Sequence, residues 1–213
     1  MENHMNLNLT DLTILLDRSG SMQAIAKDMQ GGLDTFIKEQ KSQLGEMNVT
    51  LVQFDNEYEE VFVTVPIRQV PSIEINPRGS TALLDSLARL IDDTGTRLSL
   101  IPEPWRPGNV IFVVITDGEE NSSTKFNRKS VFDRITLQTK VYRWRFVYLG
   151  ANQDAFAEAS QVGIQQSITY AATPGGILRM ASATSNYVTQ ARTGNDPDMD
   201  EIWQKTSTPT NQP

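Results

Sequence analysis

The chain has no cysteine, which excludes disulfides, thiolate catalysis and sulfur-ligated zinc. Histidine is almost as scarce: the one residue, His4, sits in an N-terminal extension, which leaves a Ser-His-Asp triad without a base. Long apolar runs are missing too. The longest, such as Val110-Ile111-Phe112-Val113-Val114-Ile115, has the length of a buried strand and falls far short of the ~20 residues that cross a bilayer. Met1-Glu2-Asn3-His4-Met5 offers no cationic segment leading into an apolar one, so no secretory leader is read and a cytoplasmic location is expected. Positive charge is in deficit, with 19 basic against 26 acidic residues and a net charge of -7, which argues against nucleic acid or an anionic membrane as partner. The densest basic group, Tyr142-Arg143-Trp144-Arg145, precedes a strand and reads as its solvated entry. Neither nucleotide fingerprint, G-x-x-x-x-G-K-[ST] or G-x-G-x-x-G after the first strand, is present.

What is there is a set of oxygen-bearing side chains at the ends of buried strands. The apolar run Leu12-Thr13-Ile14-Leu15-Leu16 ends in Asp17-Arg18-Ser19-Gly20-Ser21, one carboxylate and two hydroxyls on one rim, with Gly20 expected to turn the backbone sharply. Pro77-Arg78-Gly79-Ser80-Thr81 leads into a helical pattern with Leu83, Leu84, Leu87, Leu90 and Ile91, which puts Thr81 in a helix's first turn. The strand Asn109 to Thr116 delivers Asp117 and Gly118. Asp and Ser are also the ordinary caps of turns and helix starts. Two carboxylates converging on one crevice repel unless a cation or proton joins them, a cost that capping does not explain. Oxygen-only donors rich in hydroxyls favour Mg²⁺ or Mn²⁺ over Zn²⁺.

Strand-like and helix-like segments alternate along the chain, the mark of an α/β fold with a mainly parallel sheet covered on both faces. Strands are expected at Leu12–Leu16, Met47–Phe54, Tyr58–Val65, Asn109–Thr116, Arg145–Leu149 and Ser167–Tyr170. Helices are expected over Met22–Leu44, from about Ser80, Arg128–Lys140, Gln153–Gln161 and Gly176–Arg192. Only Asp55-Asn56-Glu57 joins the second strand to the third, too short for a crossover, so the third is antiparallel and lies at an edge. The result is a doubly wound, Rossmann-like sheet in the order 3-2-1-4-5-6, whose chain reversal falls between the strands that end at Asp17 and Asp117. Residues 1–9 read as an extension, 10–193 as one domain, and 194–213 as a polar, poorly ordered tail. In that tail Asp196-Pro197-Asp198-Met199-Asp200 has the spacing that opens a calcium loop, but Glu201 and Ser207 occupy the loop's glycine and closing-acid positions. Trp203 reads as a contact onto the domain.

These motifs resemble the von Willebrand factor A domain family and its metal-ion-dependent adhesion site. The family's Asp-x-Ser-x-Ser falls on Asp17, Ser19 and Ser21, its Thr on Thr81, and its last Asp on Asp117. The phrase Val-Val-Ile-Thr-Asp-Gly-Glu and the helix carrying Gly32, Leu33 and Phe36 are similar to the family's as well. Resemblance extends over roughly Thr10 to Thr193, and the Asp-Arg-Ser-Gly-Ser-Met wording is most like the short, single-domain members of bacteria and bacteriophages. It implies that Ser19 and Ser21 bind Mg²⁺ or Mn²⁺ directly, that Asp17 and Asp117 act largely through water, and that Thr81 joins on ligand engagement. It implies, further, a protein partner that completes the shell with an Asp or Glu, no small-molecule substrate and no catalysis. Two alternatives remain: an assembly subunit that works with a separate AAA+ ATPase, and a Mg²⁺-dependent phosphatase with an aspartyl nucleophile. The phosphatase needs a second Asp two residues after the first, where this chain has Ser19.

Overall fold

The computed structural model describes residues 5–152 and 154–206. Strands β1 (Asn6–Asp17), β2 (Glu46–Phe54), β3 (Tyr58–Pro66), β4 (Pro107–Thr116), β5 (Arg145–Ala151) and β6 (Gln166–Tyr170) form one sheet in the order β3-β2-β1-β4-β5-β6. Every neighbouring pair is parallel except β2 with β3. The expected order and the antiparallel edge strand are both present, for the reason given by the three-residue link.

Helices α1 (Ala26–Lys41), α2 (Leu83–Ser99), α3 (Arg128–Tyr142), α4 (Ala155–Gln161), α5 (Pro174–Arg192) and α6 (Met199–Thr206) cover the sheet. Alternation along the strands feeds two apolar layers. Leu12, Ile14 and Leu16 of β1, with Ile111, Val113 and Ile115 of β4, meet α1, α5 and α6. Leu15, with Val110, Phe112 and Val114, meets α2, α3 and α4. Burial of both faces explains why the central strands are continuous apolar runs. On the first face α1 and α5 cross closely at Gly32, where a Cβ would stand 2.8 Å from Cγ2 of Ile177.

Three segments differ from the sequence reading. β1 begins at Asn6, so part of the expected extension is strand; Asn6 pairs with Pro107, and the register shifts before Thr10. The long helix expected from Met22 starts as a 3-10 turn, Gly20–Ala24, and α1 ends at Lys41. The expectation of a poorly ordered tail is corrected over 199–206, which form α6. Met199 and Ile202 are buried, and the Arg179 guanidinium lies 3.4 Å from the Trp203 ring centroid while donating to the Trp203 carbonyl at 2.8 Å. Asp198 accepts from the backbone of Glu201 at 3.0 Å, and Asp196 pairs with Arg145 at 3.6 Å, so two of the acids that resembled a calcium loop cap a helix and pair with a cation. Residues 207–213, with Ser207, and His4 lie outside the described residues.

Candidate metal centre

Asp17 ends β1 inside the protein, fully buried. Its Oδ1 accepts from the Ser19 backbone N–H at 2.6 Å, and its Oδ2 accepts from the Thr116 hydroxyl at 2.6 Å. Thr116 stands at the end of β4, one step beyond the Leu16–Ile115 pairing, so sheet register brings the two side chains together. The Asp17 carboxylate is thereby aimed and held. Burial, with a smaller contribution from the charge of Asp117, pushes its pKa up from 3.8 to about 6 against those hydrogen bonds. Asp117 is half-buried and likewise raised by burial, against a hydrogen bond from Ser21. Two partly desolvated carboxylates thus share a crevice, and among the described residues no cationic side chain offsets Asp17.

Hydroxyls complete the crevice. Oγ of Ser19 and Oγ of Ser21 are 3.0 Å apart, and Ser21 donates to Asp117 Oδ1 at 2.7 Å. Gly118 looks onto the same point. A Cβ built there would lie 3.2 Å from Thr81 Oγ1, 3.4 Å from Ser21 Oγ and 3.9 Å from Ser19 Oγ. Three hydroxyls from two separate loops thus surround a space that the missing side chain leaves open, next to Asp117. All five residues singled out from the sequence are brought together at the carboxyl ends of β1 and β4.

The chain turns at Gly20 into the 3-10 turn Gly20–Ala24, and Ser19 and Ser21 face one point as expected. The φ of Gly20 is not positive; its N–H donates to the carbonyl of Gly79 at 3.1 Å, and Gly79 takes the left-handed conformation, φ +68°. The second loop turns at Gly79, and Gly20 is also where the two loops touch.

Neighbouring residues that the motifs did not single out hold this geometry. Asn121 accepts from the Thr81 N–H at 2.9 Å and returns its own N–H to the Thr81 carbonyl at 3.1 Å. Glu120 accepts from Leu84 N at 2.8 Å, and Asp85 accepts from Phe126 N at 2.8 Å, so the start of α2 and the loop after β4 cap each other. On the opposite wall buried Asp55 accepts from Arg18 Nε at 3.1 Å and Arg78 Nε at 2.8 Å. Burial alone would raise the Asp55 pKa, but the Arg78 hydrogen bond and both guanidinium charges bring it below its ordinary value. Arg18 also pairs with Glu59. Arg18 and Arg78 thus pair with acids of this wall through Arg18 Nε and Nη1 and Arg78 Nε.

Among the described residues no group of three or more His, Cys, Asp or Glu is placed to hold a metal ion. The crevice has two carboxylates, and its other oxygens are hydroxyls. That donor set suits a hard divalent cation that keeps part of its hydration. The residues fit Mg²⁺ or Mn²⁺.

Comparison with solved structures decides the fold. The von Willebrand factor type A protein of Catenulispora acidiphila superposes with a TM-score of 0.56 at 14% identity, over 91% of this chain and 44% of that one. The fold is that of the von Willebrand factor A domain. The corresponding domain of the type V pili tip protein Mfa5 of Porphyromonas gingivalis gives 0.54 at 12% identity over 85% and 96% of the two chains. The pilus adhesin SpaC of Lactobacillus rhamnosus GG gives 0.62 at 12% identity over 88% and 31%. This chain spans less than half the length of the Catenulispora and SpaC chains. No family model and no curated protein matches the sequence itself. Among the described residues no helix is long and apolar enough to cross a membrane.

Proposed function

We propose that this von Willebrand factor A fold is a divalent-cation-dependent protein-binding module. Ser19 and Ser21 hold Mg²⁺ or Mn²⁺ through their hydroxyls, Asp17 and Asp117 balance its charge, and Thr81 stands ready at the same point. The cation supplies a positive charge with a position left for an outside oxygen. An Asp or Glu of a protein partner fits that position, because a carboxylate offsets the remaining charge and completes the shell. The observation that carries this reading is the convergence of three hydroxyls on the open space at Gly118, beside Asp117. Two of the similar structures are a pilus adhesin and a pilus tip protein, which supports recognition of another protein as the task.

The module acts by binding rather than by turnover. Two residues beyond Asp17 stands the Ser19 hydroxyl, hydrogen-bonded to Ser21, and a serine has no pKa suited to general acid or base work.

The test is a pull-down with the purified chain in Mg²⁺ and in EDTA, run beside Ser19→Ala/Ser21→Ala. A partner retained by the wild type in Mg²⁺, and lost both in EDTA and from the double variant, supports the proposal. Retention that ignores EDTA contradicts it, as does hydrolysis of an aryl phosphate that depends on Asp17.

A further inference from the structure

Tyr170, the last residue of β6, is 1% exposed, and its hydroxyl has no hydrogen-bond partner. A phenol in that state costs free energy, because burial removes its water and nothing replaces it. Its position makes the cost intelligible. Tyr170 pairs with Ala151 at the carboxyl edge of the sheet, one step beyond the row in which Thr116 pairs with Gly150 and Gly150 with Thr169. It follows Ile168 by two residues, as Asp117 follows Ile115, and Ile168 and Ile115 both face the α1 and α5 layer. Tyr170 thus stands level with Asp117 on one side of the sheet, its backbone fixed by Asn152 N–H donating to its carbonyl at 3.0 Å. Burial raises its pKa far above the ordinary value, and the charges that add to this most are those of Asp117 and then Asp17. The hydroxyl stays protonated at any physiological pH.

We propose that Tyr170 is a further member of the metal centre, its hydroxyl oxygen accepting a hydrogen bond from water that a cation bound at this crevice would keep. It acts through water and is a positioning residue. The proposal rests on the reading of the crevice as a divalent site, which it deepens: water kept by a divalent cation is polarised into a hydrogen-bond donor, and a buried oxygen with no other partner is an acceptor that would orient it. Groups that hold a ligand in place without touching the metal change affinity by about tenfold to a hundredfold when removed.

Tyr170→Phe keeps the ring, which belongs to the same apolar layer as Ile168, and removes only the hydroxyl. Three measurements on wild type and variant decide the matter: melting temperature in EDTA, Mn²⁺ affinity by titration, and water-proton relaxation of the bound Mn²⁺. The expected variant melts at or above the wild type in EDTA, since an unsatisfied group is gone. It binds Mn²⁺ about tenfold more weakly, with enhanced relaxation because the released water exchanges faster. Equal Mn²⁺ affinity in the two proteins overturns the proposal, and so does a variant that is less stable in EDTA, which would make the hydroxyl a structural group. Wild type that binds no Mn²⁺ at all overturns the metal-site reading itself, an outcome the wild-type titration shows before the variant is compared.

Discussion

Asp17→Asn gives the electrostatic account its sharpest test, because two effects of opposite sign are separable. In the metal-free protein the buried carboxylate is held at a pKa of about 6 instead of 3.8. At about 1.4 kcal/mol for each pKa unit, keeping it charged at neutral pH costs the folded state about 3 kcal/mol. Asparagine removes that charge. It also sacrifices one of the two hydrogen bonds that Asp17 accepts, from Ser19 N–H and Thr116 Oγ1, worth about 1 kcal/mol. The charge effect is larger, so the variant gains about 2 kcal/mol without metal, or about 4–8 °C in a chain of this size.

The sign of the pH dependence follows. A raised folded-state pKa means that the native state takes up the proton more readily than the unfolded chain. Stability is fully present below 3.8 and declines as pH rises through about 6. Asp117, raised in the same direction, adds to the trend. Thermal melts in EDTA at pH 4 and pH 7.5 should therefore show the two proteins drawing together at pH 4 and Asp17→Asn ahead at pH 7.5. In Mg²⁺ the order should narrow or reverse, since a cation at a hundredfold excess over Kd adds about 2.7 kcal/mol to a protein that binds it. An Asp17→Asn variant less stable than wild type in EDTA at pH 7.5, or a difference independent of pH, would refute the reasoning.

Gly118→Ala places a methyl 3.2 Å from Thr81 Oγ1 and 3.4 Å from Ser21 Oγ while leaving every donor in the sequence. We expect a cost of about 1–2 kcal/mol in EDTA from overpacking, and loss of most of the Mg²⁺-induced thermal shift; a full shift would mean that the hydroxyls do not converge on the cation. Thr81→Ala should keep most of that shift yet retain less partner in the Mg²⁺ pull-down, and normal retention would remove Thr81 from the recognition surface. Ile202→Ala should lower stability by about 2 kcal/mol or more through a cavity beneath α6, measured by urea unfolding with and without Mg²⁺. An unchanged midpoint would show that α6 does not dock.

The sheet order was legible because each crossover announces itself. Apolar runs with β-branched residues, such as Val110–Ile115, cannot be helices of that length, and the three residues between Phe54 and Tyr58 permit only a hairpin. Asp17, Ser19, Ser21 and Asp117 were legible at or just after strand ends; Thr81, expected in the first turn of a helix, stands just before α2, whose N-cap is Ala82. The residues that hold these five were less legible. Thr116 and Asn121 act through contacts with Asp17 and Thr81, 99 and 40 residues away in the chain, and no local pattern encodes such pairings. Tyr170 closed the expected sixth strand, and nothing local to it marks a buried hydroxyl left without a partner. α6 could have been read. Asp198 with Glu201 three residues on is a capping signal, and Met199, Ile202 and Trp203 have helical spacing. The acidic, proline-containing composition around them outweighed that short pattern.

The central claim, that the crevice is a divalent-cation site, is tested most directly by a crystal of the protein grown with Mn²⁺ and measured for anomalous scattering at the manganese edge. The account predicts a single strong peak within about 2.3 Å of the Ser19 and Ser21 hydroxyls, beside Asp117 and under Gly118, that disappears on Ser19→Ala/Ser21→Ala. No peak in that crevice at millimolar Mn²⁺, or one that persists in the double variant, would contradict it.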